Sequence, residues 1–341
     1  MSTMPAFKVY GANQVQAWLN ANARRVYAIV RDTYTKYHAG QAESPDSYFL
    51  RFHADPCNRI IALPAILDDE APVSGIKWIA SFPDNIEHGL DRASAVVVVN
   101  DRTTGYPLAC LEGSLISAAR TAASAAIGVE YLHLPSDGYK HLSCLGIVGC
   151  GPIAFASVQL LRELGWTFDR VQLFDQQSPR VQLFVEKLRL WNIDATTEAL
   201  DVVVSQSEVV LFATSAAVPH VDALEWVAHR PTLIHLSLRD LAPRIIRASQ
   251  NVADDIGHCL KANTSLHLTE QEDGNREFIR LNIGDLISGR EQPDFTRPRI
   301  FSPFGMGVLD LAVARAIMRD DCISPAASIP NFFPTPYVQL T

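Results

Sequence analysis

Two groups of residues in this chain are spaced for chemistry. The first is a glycine pair: the apolar run Leu145-Gly-Ile-Val leads into Gly149-Cys-Gly151, and Pro152, Ile153 and Ala154 open a helix-like segment. Gly149 permits a tight strand-to-helix turn, Gly151 lets backbone approach a pyrophosphate, and Ala154 is small enough for the helix to lie against a sheet. Asp175 ends the next strand-like run, Arg170-Val-Gln-Leu-Phe, about twenty residues on. There its carboxylate could accept hydrogen bonds from both hydroxyls of an adenosine ribose and would repel a 2′-phosphate, which favours NAD over NADP. Arg180 is a nearby cation that argues the other way. A glycine turn that binds no nucleotide is the alternative, and it fits the βαβ context less well.

The second group is a pair of cations in apolar surroundings, Lys77 in Gly75-Ile-Lys77-Trp78 and Arg120 in Ser117-Ala-Ala-Arg120-Thr121-Ala-Ala. An unpaired buried charge is costly, so both must have anionic partners. Lys77 could instead snorkel to the surface, and Arg120 could form a structural ion pair at a domain joint. A guanidinium is equally suited to gripping a substrate carboxylate in two places. The ten histidines carry no HExxH or paired His/Cys spacing, and His235 inside an apolar run reads as a satisfied core residue, so no metal is expected. No GxSxG elbow or kinase-type loop supports hydrolysis through a serine nucleophile or phosphoryl transfer.

These residues need two domains to hold them, and 341 residues suffice for two cores. With 29 Lys and Arg against 37 Asp and Glu the net charge is −8, without like-charge blocks, which argues against a nucleic-acid surface or a polybasic membrane anchor. Six cysteines without CxxC spacing read as reduced thiols, and the chain has neither a signal-like start nor a long apolar run. A cytoplasmic enzyme of small-molecule chemistry is the expectation.

Along the chain, Asn13 is placed to cap one long helix over 13–38, with Val15, Trp18, Leu19, Val26, Ile29 and Val30 as its apolar stripe. Strand-like runs at 60–67, 74–81 and 95–100 predict a small, mostly antiparallel sheet, and 115–132 an Ala-rich helix. From Lys140 the pattern alternates short strands (142–148, 171–175, 209–214, 232–238) with helices, the mark of a parallel, doubly wound sheet. Ligands bind at the carboxyl ends of such strands, so Thr214 and Ser215 become cofactor-contact candidates, with a simple polar turn as the alternative. A helix opening near Gly305-Met-Gly-Val-Leu-Asp310 is expected to pack back on the first domain, and 324–337 reads as an extended tail. The predicted fold is α/β: a Rossmann-type NAD-binding domain over 136–304, and an α+β domain for substrate binding and dimerisation over 1–135, completed by 305–341.

Several separated motifs occur in the order that resembles the ornithine cyclodeaminase and mu-crystallin superfamily: Gly75-Ile-Lys77, the Thr103-Thr-Gly-Tyr-Pro turn, Arg120-Thr121-Ala-Ala, the glycine loop, Asp240 after a strand, and Gly305-Met with Asp310. The resemblance implies that Lys77 contacts substrate near the reacting carbon, Arg120 binds its α-carboxylate and Thr121 touches the cofactor phosphate. It also implies that Asp240 is the catalytic acid/base and that the protein is a homodimer. Asp240 alone would read as a helix cap or surface residue.

Two departures bear on the substrate. Ornithine cyclodeaminases place an acid two positions before the Leu-Pro or Met-Pro pair of the early strand, where this chain has Ile61, and the Cys-Pro-Gly-Lys after the family's Asp is here Leu-Ala-Pro-Arg244. Cations are instead plentiful: Arg51, Arg59, Lys77 and Arg120 would complement a substrate with several carboxylates. Asn58-Arg59-Ile-Ile-Ala-Leu-Pro, Gly75-Ile-Lys-Trp-Ile and Arg92-Ala-Ser most resemble a subgroup from siderophore and antibiotic pathways. Its members make 2,3-diaminopropionate by oxidising N-(2-amino-2-carboxyethyl)-L-glutamate. Ornithine cyclodeaminase, ketimine reductase and a non-catalytic nucleotide-binding protein stay open as alternatives.

Overall fold

The computed structural model describes residues 6–133 and 138–334. It divides into two compact units, Met1–Arg120 with Met306–Thr341, and Thr121–Gly305. The boundary expected between 135 and 136 lies outside the described residues; the compact units part within the helix Ser114–Leu132, between Arg120 and Thr121.

In the first unit a mixed sheet runs in the order Ala327–Ile329, Phe7–Tyr10, Pro107–Glu112, Ala93–Asp101, Val73–Ser81, Asp55–Leu67, Ala42–Glu43, with Tyr48–Phe52 also on Asp55–Leu67. All its pairs are antiparallel except Phe7–Tyr10 with Pro107–Glu112. The register Leu63↔Lys77↔Val97↔Leu111 puts Lys77 in a row of buried apolar residues. Side chains one residue away point to the other face, because the pleat alternates. Helix Gly307–Met318 lies on the Lys77 face, and Gly307 makes the approach possible: a Cβ there would sit 2.5 Å from the Leu63 carbonyl oxygen. That helix is apolar on nearly every side, as a helix buried all round must be.

Two expectations for this unit are corrected. The segment 13–38 is two helices, Ala12–Ala21 and Ala23–His38, the first capped by Gly11 and not by Asn13. Asn22 breaks it: its φ is −128°, its side chain donates to the Trp18 carbonyl at 2.9 Å, and its amide to that of Leu19. This is how a short amide side chain competes with helical bonding. The apolar stripe is spent inside the unit, with Val15, Trp18, Val26 and Val30 buried. The second correction is the tail, where Ala327–Ile329 forms an edge strand antiparallel to Phe7–Tyr10; 335–337 lie outside the described residues.

The second unit is built on an eight-stranded sheet whose neighbours are all parallel. Its order is Asp194–Thr197, Thr167–Phe174, His141–Val148, Val209–Phe212, Thr232–His235, Arg299–Ser302, Gln250–Ala253, Ile279–Asn282. The first strand in sequence lies inside and the chain winds outward both ways, so the order reverses beside His141–Val148. Fully buried Val, Leu and Ile fill its strands, as helices on both faces require. Buried Arg299, whose guanidinium donates to the carbonyls of Leu132 (2.9 Å) and Arg230 (3.0 Å), ties the end of the Ser114–Leu132 helix to this sheet.

Candidate active site

Strand His141–Val148 ends in Gly149 at φ +94°, the left-handed region that a side chain would strain. The turn is also tight against the neighbouring strand end: a Cβ on Gly149 would lie 2.7 Å from the Ala213 carbonyl and 2.9 Å from the Thr214 amide nitrogen. Gly149 and Thr214 are therefore neighbours at the carboxyl edge of the sheet, where open α/β sheets bind ligands. Gly151 ends the loop as N-cap of helix Pro152–Glu163, without a side-chain cap, and a Cβ there would meet no atom within 4 Å.

This open space faces the first turn of a helix, whose amides at Ile153 and Ala154 have no carbonyl one turn back. Ala154 is fully buried. The cradle fits a pyrophosphate, and with it a dinucleotide. Asp175 follows strand Thr167–Phe174 and has a task the sequence did not suggest: it accepts the amides of Cys150 and Gln177, each at 2.8 Å, bracing the loop. Cys150 fills that loop as a thiol, its pKa pushed up to about 12 by burial and by the Asp175 charge.

Thr214 leads from the loop to Asp240, donating to Oδ1 at 2.5 Å while its own oxygen accepts the Ala216 amide. Asp240 has no exposed surface, and Ser237 donates to its Oδ2. His235 Nε2 lies 3.2 Å from Oδ2 and 3.1 Å from the Asp240 amide nitrogen, with Ser302 Oγ 3.4 Å from its Nδ1. A proton on Nε2 serves the carboxylate; a proton on Nδ1 leaves Nε2 to accept the amide instead. Burial works to raise the Asp240 pKa, but hydrogen bonds from His235, Ser237 and Thr214 outweigh it and hold the carboxyl at about 2. His220 Nε2 stands 3.7 Å from Oδ1. Ser215 is exposed beside Thr214.

In the first unit, buried Lys77 donates to Asp310 Oδ2 at 2.6 Å and to Ser117 Oγ at 3.3 Å. Arg120 Nε stands 3.4 Å from Asp310 Oδ1, and its Nη2 donates to the same serine at 3.3 Å. Lys77 does not snorkel; Asp310, fully buried one turn into helix Gly307–Met318, partners both cations. One buried carboxylate is thus shared between two buried cations. Burial and the Arg120 charge outweigh Asp310 and bring the Lys77 pKa down to about 8.

Arg51 and Arg59 are directly paired in register on neighbouring strands. Arg59 lies on the Lys77 face but four residues along from Leu63, about 13 Å down the strand. Arg51 is exposed, with its guanidinium 5.3 Å from the Phe49 ring centre. The four cations thus fall into two pairs. Thr121 follows Arg120 on the same helix. Sequence reading gave no role to Asp310, Ser117 or His220. Asp310 was findable in principle, because two cations in apolar runs demand a buried carboxylate; His220 carried no such signal.

The sequence pattern of the ornithine cyclodeaminase/mu-crystallin family matches residues 11–323. The N-((2S)-2-amino-2-carboxyethyl)-L-glutamate dehydrogenase of Staphylococcus aureus is 32% identical over 75% of this chain and 77% of its own length. Among solved structures, the Delta(1)-pyrroline-2-carboxylate reductase of Thermococcus litoralis, in complex with NADH and L-proline, superposes with a TM-score of 0.82 at 20% identity, covering 91% of this chain and 96% of its own. A dimeric archaeal alanine dehydrogenase with bound NAD superposes with a TM-score of 0.81 at 23% identity, covering 92% and 95%. Both share this fold. Among the described residues no helix is long and apolar enough to cross a membrane.

Proposed function

This chain belongs to the ornithine cyclodeaminase/mu-crystallin family, and from that premise we propose that it is an NAD-dependent dehydrogenase that cleaves N-(2-amino-2-carboxyethyl)-L-glutamate oxidatively to 2-oxoglutarate and 2,3-diaminopropionate. The observation that carries the substrate class is the pair of buried cations, Lys77 and Arg120, gathered on Asp310. Ile61, between Phe49 and Ile79 in the sheet, offers no carboxylate for a diamino acid's cationic end. The likeness to the Staphylococcus aureus dehydrogenase supports the same choice.

In this reading Gly149, Gly151, Pro152, Ile153 and Ala154 hold the pyrophosphate, Asp175 the adenosine ribose, and Thr121, Thr214 and Ser215 contact the cofactor. Bound NAD⁺ supplies the hydride acceptor. Arg120 grips the α-carboxylate and Lys77 orients it near the reacting carbon, while Arg51 and Arg59 take up the remaining acid groups. Orienting the Cα–H bond in this way is worth several kcal/mol. Asp240 governs the protons of imine formation and hydrolysis.

The enzyme is read as a homodimer built on the sheet face opposite Lys77. The row Tyr48↔Ala62↔Trp78↔Val96 crosses that face, and Tyr48, Trp78 and Val96 are all exposed. Trp78→Glu should give a monomer in sedimentation velocity.

The purified protein with NAD⁺ should form NADH from N-(2-amino-2-carboxyethyl)-L-glutamate and not from ornithine or alanine, with pyrroline-2-carboxylate plus NADH as the reverse assay. Turnover of ornithine alone would sink the proposal.

A further inference from the structure

Asp240 is the acid/base of the reaction just proposed, yet it is closed off from any substrate. Its exposure is 0%, Thr214 and Ser237 donate to its two oxygens, and His235 Nε2 lies 3.2 Å from Oδ2. A carboxylate so saturated is a poor proton acceptor, in keeping with its low pKa. Protons must reach it through a neighbour that also meets solvent, and among its close polar partners His220 has that property most clearly. Its Nε2 is 3.7 Å from Asp240 Oδ1, and 32% of its side chain is exposed.

The backbone fixes this pairing. The amides of His220 and Val221 both donate to the Asp240 carbonyl at 2.9 Å, the Ala242 amide returns to Val221 at 2.9 Å, and Val221 and Leu241 form a parallel bridge. Of the charged groups nearby, Asp222 two residues on is paired with Arg244 at 2.6 Å, and His235 stands on the far side of the carboxylate. Asp240 is therefore the carboxylate that faces the His220 ring in these contacts. A buried carboxylate behind a partly exposed imidazole orients the ring and stabilises the cation that forms when it takes a proton.

Resting on the dehydrogenase reading, we infer that His220 is the proton carrier of the imine-hydrolysis half-reaction, with Asp240 acting through it as its fixed counter-charge. The hydride leaves Cα with its electron pair, and the amine becomes a protonated imine. Water then adds to the imine carbon, forming the C–O bond, and His220 takes the proton that the water loses. As the C–N bond breaks, His220 returns the proton to the departing nitrogen. As the carbonyl forms, the carbinolamine hydroxyl gives up its proton to solvent, the one proton released per NADH, and no further oxidant is needed.

The test is rapid-mixing kinetics of His220→Ala and His220→Gln with NAD⁺ and N-(2-amino-2-carboxyethyl)-L-glutamate. The expected steady-state kcat falls about 100-fold with little change in KM. A rapid burst of NADH stoichiometric with subunits should survive, because hydride transfer precedes the step that is lost, and added imidazole should restore the slow phase in His220→Ala. NADH binding, followed by its fluorescence, should match the wild type in both variants. A readout independent of turnover is the ring ¹⁵N spectrum: the His220 Nε2 resonance should move in Asp240→Asn and stay in place in Asp222→Asn. Unchanged kcat, loss of the burst together with the slow phase, failure of imidazole rescue, or an Nε2 resonance indifferent to Asp240→Asn overturns the inference. Absence of wild-type turnover overturns the dehydrogenase reading itself, and the relay with it.

Discussion

Around Asp310 one carboxylate answers two buried cations, whereas around Asp240 one carboxylate is enclosed by hydroxyls and imidazoles. The first cluster gathers two cations on one carboxylate, and the second gathers hydrogen-bonding groups on both oxygens of another. A pair of cations held together suits a place that receives an anionic ligand, which both can engage by charge-assisted hydrogen bonds. A saturated carboxylate suits a fixed negative charge that sets the behaviour of its neighbours. In the proposed reaction the first cluster therefore recognises and the second manages protons.

Removing the shared partner should produce the largest effect. Asp310→Ala leaves Lys77 and Arg120 buried without their common carboxylate, and denaturant titration should find the protein less stable by about 3–5 kcal/mol. Were the loss near zero, the two cations would not depend on Asp310 and the contrast between the clusters would fail. Asp240→Asn keeps the shape of the second cluster and removes its charge; kcat should fall at least about 100-fold with NADH affinity preserved. Loss of NADH binding as well would make Asp240 a structural support of the loop.

The pH responses sharpen the comparison. Lys77 has its pKa brought from 10.5 to about 8, so the folded protein releases this proton first, and the penalty for burying the charge is relieved as pH rises from about 8 towards 10.5. Stability from this group rises across that window while anion binding is lost, so kcat/KM should fall above about pH 8. Asp240 behaves oppositely: its carboxyl is held at about 2 against 3.8, so its contribution is fully present above about pH 4 and is lost as pH falls towards 2. Asp240→Asn should flatten the acid limb of a stability profile, and Lys77→Met the alkaline limb. The smallest effect is expected at exposed Arg51, where Arg51→Ala should raise KM a few-fold, by about 1 kcal/mol or less, and leave kcat alone.

Much of the second unit was legible in the sequence because its signals are local. The glycine turn, the buried strand runs and the carboxylate at the next strand end each occupy a few neighbouring residues and predict the right geometry. The strands Gln250–Ala253 and Ile279–Asn282 were among those that escaped, because polar members such as Asn251 and Arg280 interrupt their apolar runs. In the first unit, Asn22 ended a helix that the apolar stripe alone would have continued, since periodicity does not register an amide side chain turning back on the backbone.

The site was half legible for a similar reason. Lys77 and Arg120 were conspicuous as charges in apolar runs, but Asp310 meets them from far along the chain, which no local pattern encodes. Arg51 and Arg59 pair with each other and sit well along the sheet from Lys77, a separation that only the register reveals. Likewise nothing adjacent to His220 marks it as the neighbour of Asp240.

The central claim is that the hydride leaves the glutamyl Cα of a polycarboxylate secondary amine. The direct measurement uses N-(2-amino-2-carboxyethyl)-L-glutamate deuterated at that carbon, with NAD⁺ and the purified protein, and weighs the recovered products by mass spectrometry. Singly deuterated NADH together with unlabelled 2,3-diaminopropionate is the predicted result. Unlabelled NADH, or cleavage that leaves the deuterium on the carbon skeleton, would contradict it.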